Sequence, residues 1–298
     1  MTPDQRAARI AADQYGLLSV ADLRRAGLTV RQVKHRVAVA GWTRPSRGIV
    51  ALPGGPPRSW RRDAMAACLL GGSLARAGAL TACALHGLCS PPLLPHVTVP
   101  PSHSARTKGG RVHRLELPLI DRAMVDGVPT VTASRAIVES VAMVDRDRLE
   151  ELVDQAILQK LATPDSIVAA LDRAGPGWSG GSRVRAAATF WTERLRPDSP
   201  GEARFLRRLV DEWGAEGVRT QFEIHDGDGL FVGRVDVAIE CRRLAFEYDS
   251  NAFHGPRRTA ADELRHRRLE RLGWRVEHVS KTDLLPAATR LRDLLVAA

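Results

Sequence analysis

At 298 residues and 44% hydrophobic content, the chain is long enough for two or more domains and too apolar for disorder. Lys and Arg outnumber Asp and Glu by 44 to 34, and the excess is local: residues 1–62 hold 12 basic against 3 acidic side chains, nearly all of the formal +10. So concentrated a patch favours a polyanion, nucleic acid first and membrane surface second. With no run of about 18 apolar residues, and a charged first turn lacking a signal-peptide core, the chain is expected to be cytoplasmic, soluble and not membrane-spanning.

The basic segment opens with a helix predicted over Pro3 to Tyr15, followed by Leu17-Leu18. Ser19 caps a short helix through Arg25, ended at Gly27, and Thr29 caps the next, with Gln32 three residues on as its capping-box partner. Along that helix Val30, Val33 and Val37 read as a buried stripe, which turns Arg31, Gln32, Lys34, His35 and Arg36 outward. Trp42-Thr43-Arg44 and Gly48 to Leu52 suggest two strands around Pro45-Ser46-Arg47. This is the spacing of a helix-turn-helix followed by a wing.

The stretch LLSVADLRRAGLTVRQVKHRVAVAGWTRPSRGIVAL resembles the winged-helix domain at the start of AbiEi-type antitoxins. The resemblance implies a DNA-binding domain over residues 1–58, contacting DNA through Arg31, Gln32, Lys34 and His35 on the helix and Arg44 and Arg47 at the wing. It also raises the expectation of a partner protein encoded nearby. Because Arg and Lys mostly position a protein on phosphates, only Gln32, or an arginine aimed at guanine, is expected to select bases. A basic helix-turn-helix that is an interaction module or merely a solvated face stays open as an alternative.

In the middle region, residues 59–178, Trp60 to Leu74 and Ala75 to Leu88 read as helices, His96 to Val99 and Arg111 to Leu117 as strands, and Ala133 to Leu171 as helices with short breaks. ALTACALHGL, HVTVP, RVHRLELP and GVPTVTASRAIVESVA resemble the segment that follows the winged helix in the same antitoxin-like proteins, which implies an α+β scaffold. Cys83, His86 and Cys89 lie on an apolar helix face without paired CxxC spacing, so zinc is not expected there. Cys68 and Cys241 are scattered, and all four thiols are expected to be reduced.

The Gly-rich run from Gly175 to Ser182 is a break, and a helix around Arg183 to Arg194 opens the last domain, residues 179–298. Ser199-Pro200-Gly201-Glu202 starts an amphipathic helix in which Glu202 fits a capping box as well as a ligand role. In FVGRVDVAIECRRLAFEYD, Val235, Val237 and Ile239 share one strand face opposite Asp236; on the next strand Leu244, Phe246 and Tyr248 oppose Glu247 and Asp249. A hairpin with Arg242 and Arg243 near its turn would gather these acids into the oxygen cluster that a hard cation such as Mg²⁺ takes. The plain alternative is a half-solvated strand pair. A charged helix from about Asp262 to Leu272 and a strand from Gly273 to Val279 follow.

SPGEARFLRRL, GRVDVAI, LAFEYDSNAFH, and Asp262, Arg265 and Leu269 leading into LGWRVEHVSKTDL resemble the Vsr-like branch of the PD-(D/E)XK nucleases. The resemblance implies a restriction-endonuclease-like α/β/α domain that hydrolyses a DNA phosphodiester. Glu202, Asp236 and Glu247 would be the Mg²⁺ ligands, the Tyr248 carbonyl a further oxygen, and His254 the proton carrier. Asp249 joins the catalytic set at the position where the superfamily usually carries Lys. That departure keeps a catalytically silent DNA-binding regulator open, and a protein-binding adaptor is the third class. The fold class expected is multidomain α+β.

Overall fold

The computed structural model describes residues 1–103, 110–176, 178–191, 195–214, 217–249 and 260–280. They belong to a multidomain α+β protein that divides into two compact units, Met1–Arg185 and Ala186–Ala298. The expected first and second domains, 1–58 and 59–178, thus share one unit, and the last boundary falls after Arg185, seven residues beyond the expected 178. No helix among the described residues is long and apolar enough to cross a membrane.

The chain begins with α1 (Pro3–Ala12), β1 (Leu17–Ser19), α2 (Val20–Arg25), α3 (Val30–Val39), β2 (Thr43–Ser46) and β3 (Ile49–Ala51). Thr2, Ser19 and Thr29 each form a complete capping box, with Gln5, Asp22 and Gln32 as partners, so the three helix starts are written locally. α1 ends three residues before the predicted Tyr15, because Tyr15 and Gly16 take positive φ values of 55° and 74° and turn the chain into β1. β1 is a strand the sequence reading left unassigned; it pairs with β3, giving the sheet order β1-β3-β2. The hairpin turns at Arg47-Gly48, later than the Pro45-Ser46-Arg47 centre expected, with Gly48 at φ 95°. Ala7, Ala11, Leu18, Leu23, Leu28, Val33, Trp42 and Val50 close one core beneath these helices.

The rest of this unit comprises α4 (Trp60–Gly71), β4 (Arg76–Ala77), α5 (Ala79–Leu85), β5 (His96–Val99), β6 (Arg111–Arg114), β7 (Arg122–Val125), β8 (Val128–Val131), α6 (Ala133–Ser140), α7 (Arg146–Leu158) and α8 (Pro164–Ala174). Its sheet runs β6-β5-β4-β8-β7. The helix predicted over Ala75 to Leu88 is therefore β4 followed by α5. Ala77 is drawn into the sheet between Val97 and Thr130, and Gly78 lies so close to the Thr98 and Glu139 side chains that a Cβ would overlap them. Under the sheet sits a charged cluster. The Arg135 side chain, 1% exposed, bonds Glu139 at 2.9 Å and the Glu116 carbonyl at 2.8 Å, and Arg173 reaches Asp121 at 2.5 Å.

In the second unit, after α9 (Gly181–Thr189), come α10 (Pro200–Trp213), β9 (Val218–His225), β10 (Phe231–Ile239), β11 (Leu244–Asp249), α11 (Ala260–Arg271) and β12 (Arg275–Ser280). The sheet order is β12-β11-β10-β9, with β11 and β12 parallel across α11 and the other pairs antiparallel. β9 is an edge strand that the sequence reading missed. Phe205, Leu206 and Leu209 of α10 pack with Val237, Ile239, Leu244 and Phe246 on one face of the sheet. Leu269 of α11 packs with Val235, Ala238 and Ala245 on the other. Each face thus has its own helix and its own core.

Candidate functional site

The acids identified in the sequence gather around the first turn of α10 and the centre of β10. Ser199 caps α10, its Oγ accepting from the Glu202 N–H at 3.2 Å. The return half of the expected capping box is displaced by one residue: Glu202 Oε2 accepts from the Asp198 N–H at 3.0 Å, and Oε1 accepts from the Ser199 hydroxyl at 3.1 Å. Glu202 therefore does cap its helix, yet each carboxylate oxygen has a lone pair left over.

Asp236 lies where β10 changes face. Val235 packs in the α11-side core and Val237 in the α10-side core, so the shared face expected for Val235, Val237 and Ile239 holds only for the last two. Across β10, Gln221 takes a left-handed φ of 49°, the local distortion that accompanies the change. The β10–β11 ladder ends at Val237 opposite Phe246; past it, Asp236 Oδ2 accepts the Tyr248 N–H at 2.8 Å in place of a backbone carbonyl. Gln221 Nε2 donates to Oδ1 at 3.4 Å.

Glu202, 9% exposed, has its pKa raised above the ordinary carboxylate value, first by burial and then by the Asp236 charge, which outweigh the hydrogen bonds from Asp198 and Ser199. Among the described residues no Lys, Arg or His forms an ion pair with either acid. Tyr248 closes the pair from the side: a Cβ on Gly201 would overlap its ring and hydroxyl. Its pKa is raised by burial and by Glu202. Gly201 is thus a site residue whose role, room for Tyr248, the sequence pattern did not disclose; it was visible only as a glycine oddly placed in a helix's first turn.

Glu247 goes elsewhere. Its carboxylate faces α11, where Arg265 pairs with it at 2.6 Å, and His278, its neighbour on β12, stands at 3.7 Å. Arg265 also donates to the Arg234 carbonyl at 3.1 Å, and its stem lies over Gly233. Nothing in the spacing of α11 distinguishes Arg265 as the partner of Glu247 from the other arginines there. Asp249 ends β11, but its side chain, and His254 entirely, lie outside the described residues. Among the described residues, no three His, Cys, Asp or Glu side chains converge as a metal centre. Of the expected trio Glu202, Asp236 and Glu247, the described residues thus show an interaction between the first two, while Glu247 is engaged by Arg265.

In the first unit, Arg31, Gln32, Lys34 and His35 on α3 and Arg44 and Arg47 at the β2–β3 hairpin are all exposed. No ion pair among the described residues engages Arg31, Lys34, Arg44 or Arg47, whereas Arg36 is held by Asp4 at 2.7 Å. Gln32 Oε1 is occupied, accepting from the Thr29 N–H at 2.9 Å and the Thr29 hydroxyl at 3.0 Å. Val33 is buried and Val37 packs against the core, but Val30, expected in the same stripe, is 70% exposed. As the first residue of α3 it precedes the turn at which the stripe meets the core.

No protein-family model matches the sequence. No curated protein matches it either. Among solved structures, the crystal structure of the RV2827C protein from Mycobacterium tuberculosis is similar over 77% of this chain and 90% of that one, at 12% identity and a TM-score of 0.37.

Proposed function

We propose that the chain is a DNA-binding protein that hydrolyses a DNA phosphodiester with Mg²⁺. The observation that carries the reading is the pair Glu202 and Asp236: two carboxylates close enough for one to raise the pKa of the other, with no ion pair to a cationic side chain among the described residues. A hard divalent ion is what such an oxygen pair lacks. Glu202 and Asp236 would hold it, and once bound it would supply Lewis-acid stabilisation of charge on the phosphate. The Tyr248 N–H fixes the Asp236 carboxylate, and the Asp198 N–H and Ser199 hydroxyl fix that of Glu202, so both are oriented before any ion arrives. Recruitment falls to α3 and the β2–β3 hairpin, read as a winged helix, whose exposed Arg31, Lys34, Arg44 and Arg47, in no ion pair among the described residues, suit phosphates.

A second reading, a DNA-binding regulator with a silent nuclease fold, is favoured by one contact: Arg265 already neutralises Glu247. Incubating the purified chain with DNA in Mg²⁺, Mn²⁺ or EDTA separates the two. The nuclease reading expects metal-dependent cleavage that Asp236→Ala abolishes, and cleavage that persists in that variant or in EDTA would sink it. Salt-sensitive DNA binding without cleavage would select the regulator. Neutralising Arg31, Lys34, Arg44 and Arg47 together should lower the salt slope by roughly one unit per lost phosphate contact, and an unchanged slope would remove DNA from that surface.

A further inference from the structure

The two side chains at the start of α3 have exchanged the roles expected of them. Gln32 was the residue suited to read a base, since adenine is recognised by a side-chain carbonyl and amide acting together. Its carbonyl is committed to the Thr29 N–H and hydroxyl, and breaking that capping box would expose the helix terminus. Val30 was expected inside and is 70% exposed instead, at the first position of the helix and beside the exposed Arg31.

A β-branched side chain at a helix start is stiff, so Val30 presents its methyl groups in one direction. It borders a groove of about 420 Å³ that Val20, itself 46% exposed, also lines, with Arg24, Arg44 and Arg47 among the other lining residues. Three guanidiniums there suit flanking phosphates, leaving the aliphatic groups for whatever lies between them. In a DNA major groove the base edges present one apolar group, the C5-methyl of thymine.

We propose that Val30 is a specificity residue that packs on a thymine methyl, so that the chain prefers sites with thymine under the start of α3 and does not read adenine through Gln32. This rests on the DNA-binding reading and is indifferent to whether the second unit cleaves.

The test begins with selection of bound duplexes from a random DNA pool by the full chain in EDTA, which removes cleavage. Each thymine of the selected site is then replaced by deoxyuridine, deleting the methyl and nothing else. The wild type should bind roughly fourfold more weakly at one thymine position per bound copy, the worth of one buried methyl. Val30→Ala should bind the thymine and deoxyuridine duplexes equally, whereas Val30→Ile should keep the difference; circular dichroism checks that both variants are folded. A selected site insensitive to every replacement, or a Val30→Ala chain that remains sensitive, overturns the proposal while DNA binding stands. Enrichment without sequence preference also overturns it. No enrichment at all overturns the DNA-binding reading beneath it.

Discussion

Each unit holds a pair of acids that is buried or half-buried, Asp121 with Glu139 in one and Glu202 with the half-buried Asp236 in the other, and the two pairs are treated oppositely. In Met1–Arg185, Asp121 and Glu139 are matched by two guanidiniums, Arg173 at 2.5 Å and Arg135 at 2.9 Å, and Glu139 also accepts from the Thr98 hydroxyl at 2.6 Å and the Ala79 N–H at 3.1 Å. In Ala186–Ala298, the donors to the oxygens of Glu202 and Asp236 among the described residues are all neutral. Charges that serve only the fold bring their counter-ions with them, since an unmatched buried charge is costly. A pair left without one is poised to take it from outside.

The largest effect should come from breaking the matched cluster. Arg135→Met keeps the volume but leaves Glu139 and Asp121 short of a cation, and should destabilise the first unit by about 3–5 kcal/mol. Urea unfolding with residue-resolved hydrogen exchange would assign the loss to that unit. An unchanged midpoint would mean that the cluster is not what holds α6 under its sheet, and the contrast between the units would lose one side.

A smaller loss is expected at the edge of the unmatched pair. Gly201→Ala puts a methyl where the Tyr248 ring and hydroxyl lie, an overpacking that should cost about 1–3 kcal/mol. Because Tyr248 also supplies the N–H that fixes Asp236, the same variant should weaken divalent binding in a calorimetric titration. Full stability together with unchanged metal affinity would show that Tyr248 can step aside freely.

Smaller again, and opposite in sign, is the stability effect of Asp236→Asn. It removes the like charge facing Glu202, so the metal-free chain should be as stable as wild type or slightly more so, while metal-dependent cleavage disappears. Thermal unfolding in EDTA checks the first half. A clear loss of stability would place Asp236 with Asp121 and Glu139 as a structural charge.

Much of the first unit's opening was legible because capping is local, Ser19 and Thr29 each announcing a helix within four residues, and in the second unit the alternation around Val237 and Phe246 announces two strands. What failed was decided at a distance. β4 exists because Val97 and Thr130 flank Ala77 from far along the chain; β9 is a different case, an edge strand whose alternation of Val218, Thr220, Phe222 and Ile224 with Arg219, Gln221, Glu223 and His225 was legible and passed over. Within the site, the sequence named the acids but could not pair them. Whether Glu247 faces Asp236 or Arg265 depends on α11, which returns only after the second strand, and on a change of face at Asp236 that strict alternation excludes.

The mildest test uses pH, to which the two units should respond in opposite directions. In the first, His96 is pushed from 6.5 down to about 4 by burial and then by His113 and Arg111, with the two imidazoles sharing a bond of 2.9 Å. The folded state then binds fewer protons than the unfolded one, so its stability is present above 6.5 and is lost as pH falls toward about 4. In the second, Glu202 is raised from 4.5, so the folded state holds its proton longer; that contribution is full below 4.5 and is lost as pH rises through the folded value. Hydrogen exchange corrected for intrinsic rates, read separately for residues in each unit, should therefore show the first strengthening and the second weakening between pH 4 and 6.5. Glu202→Gln should flatten the second response alone. Added Mg²⁺ should reverse it, since an ion on Glu202 and Asp236 favours their charged forms; an unchanged slope with Mg²⁺ at any concentration would mean that the unmatched pair takes no cation.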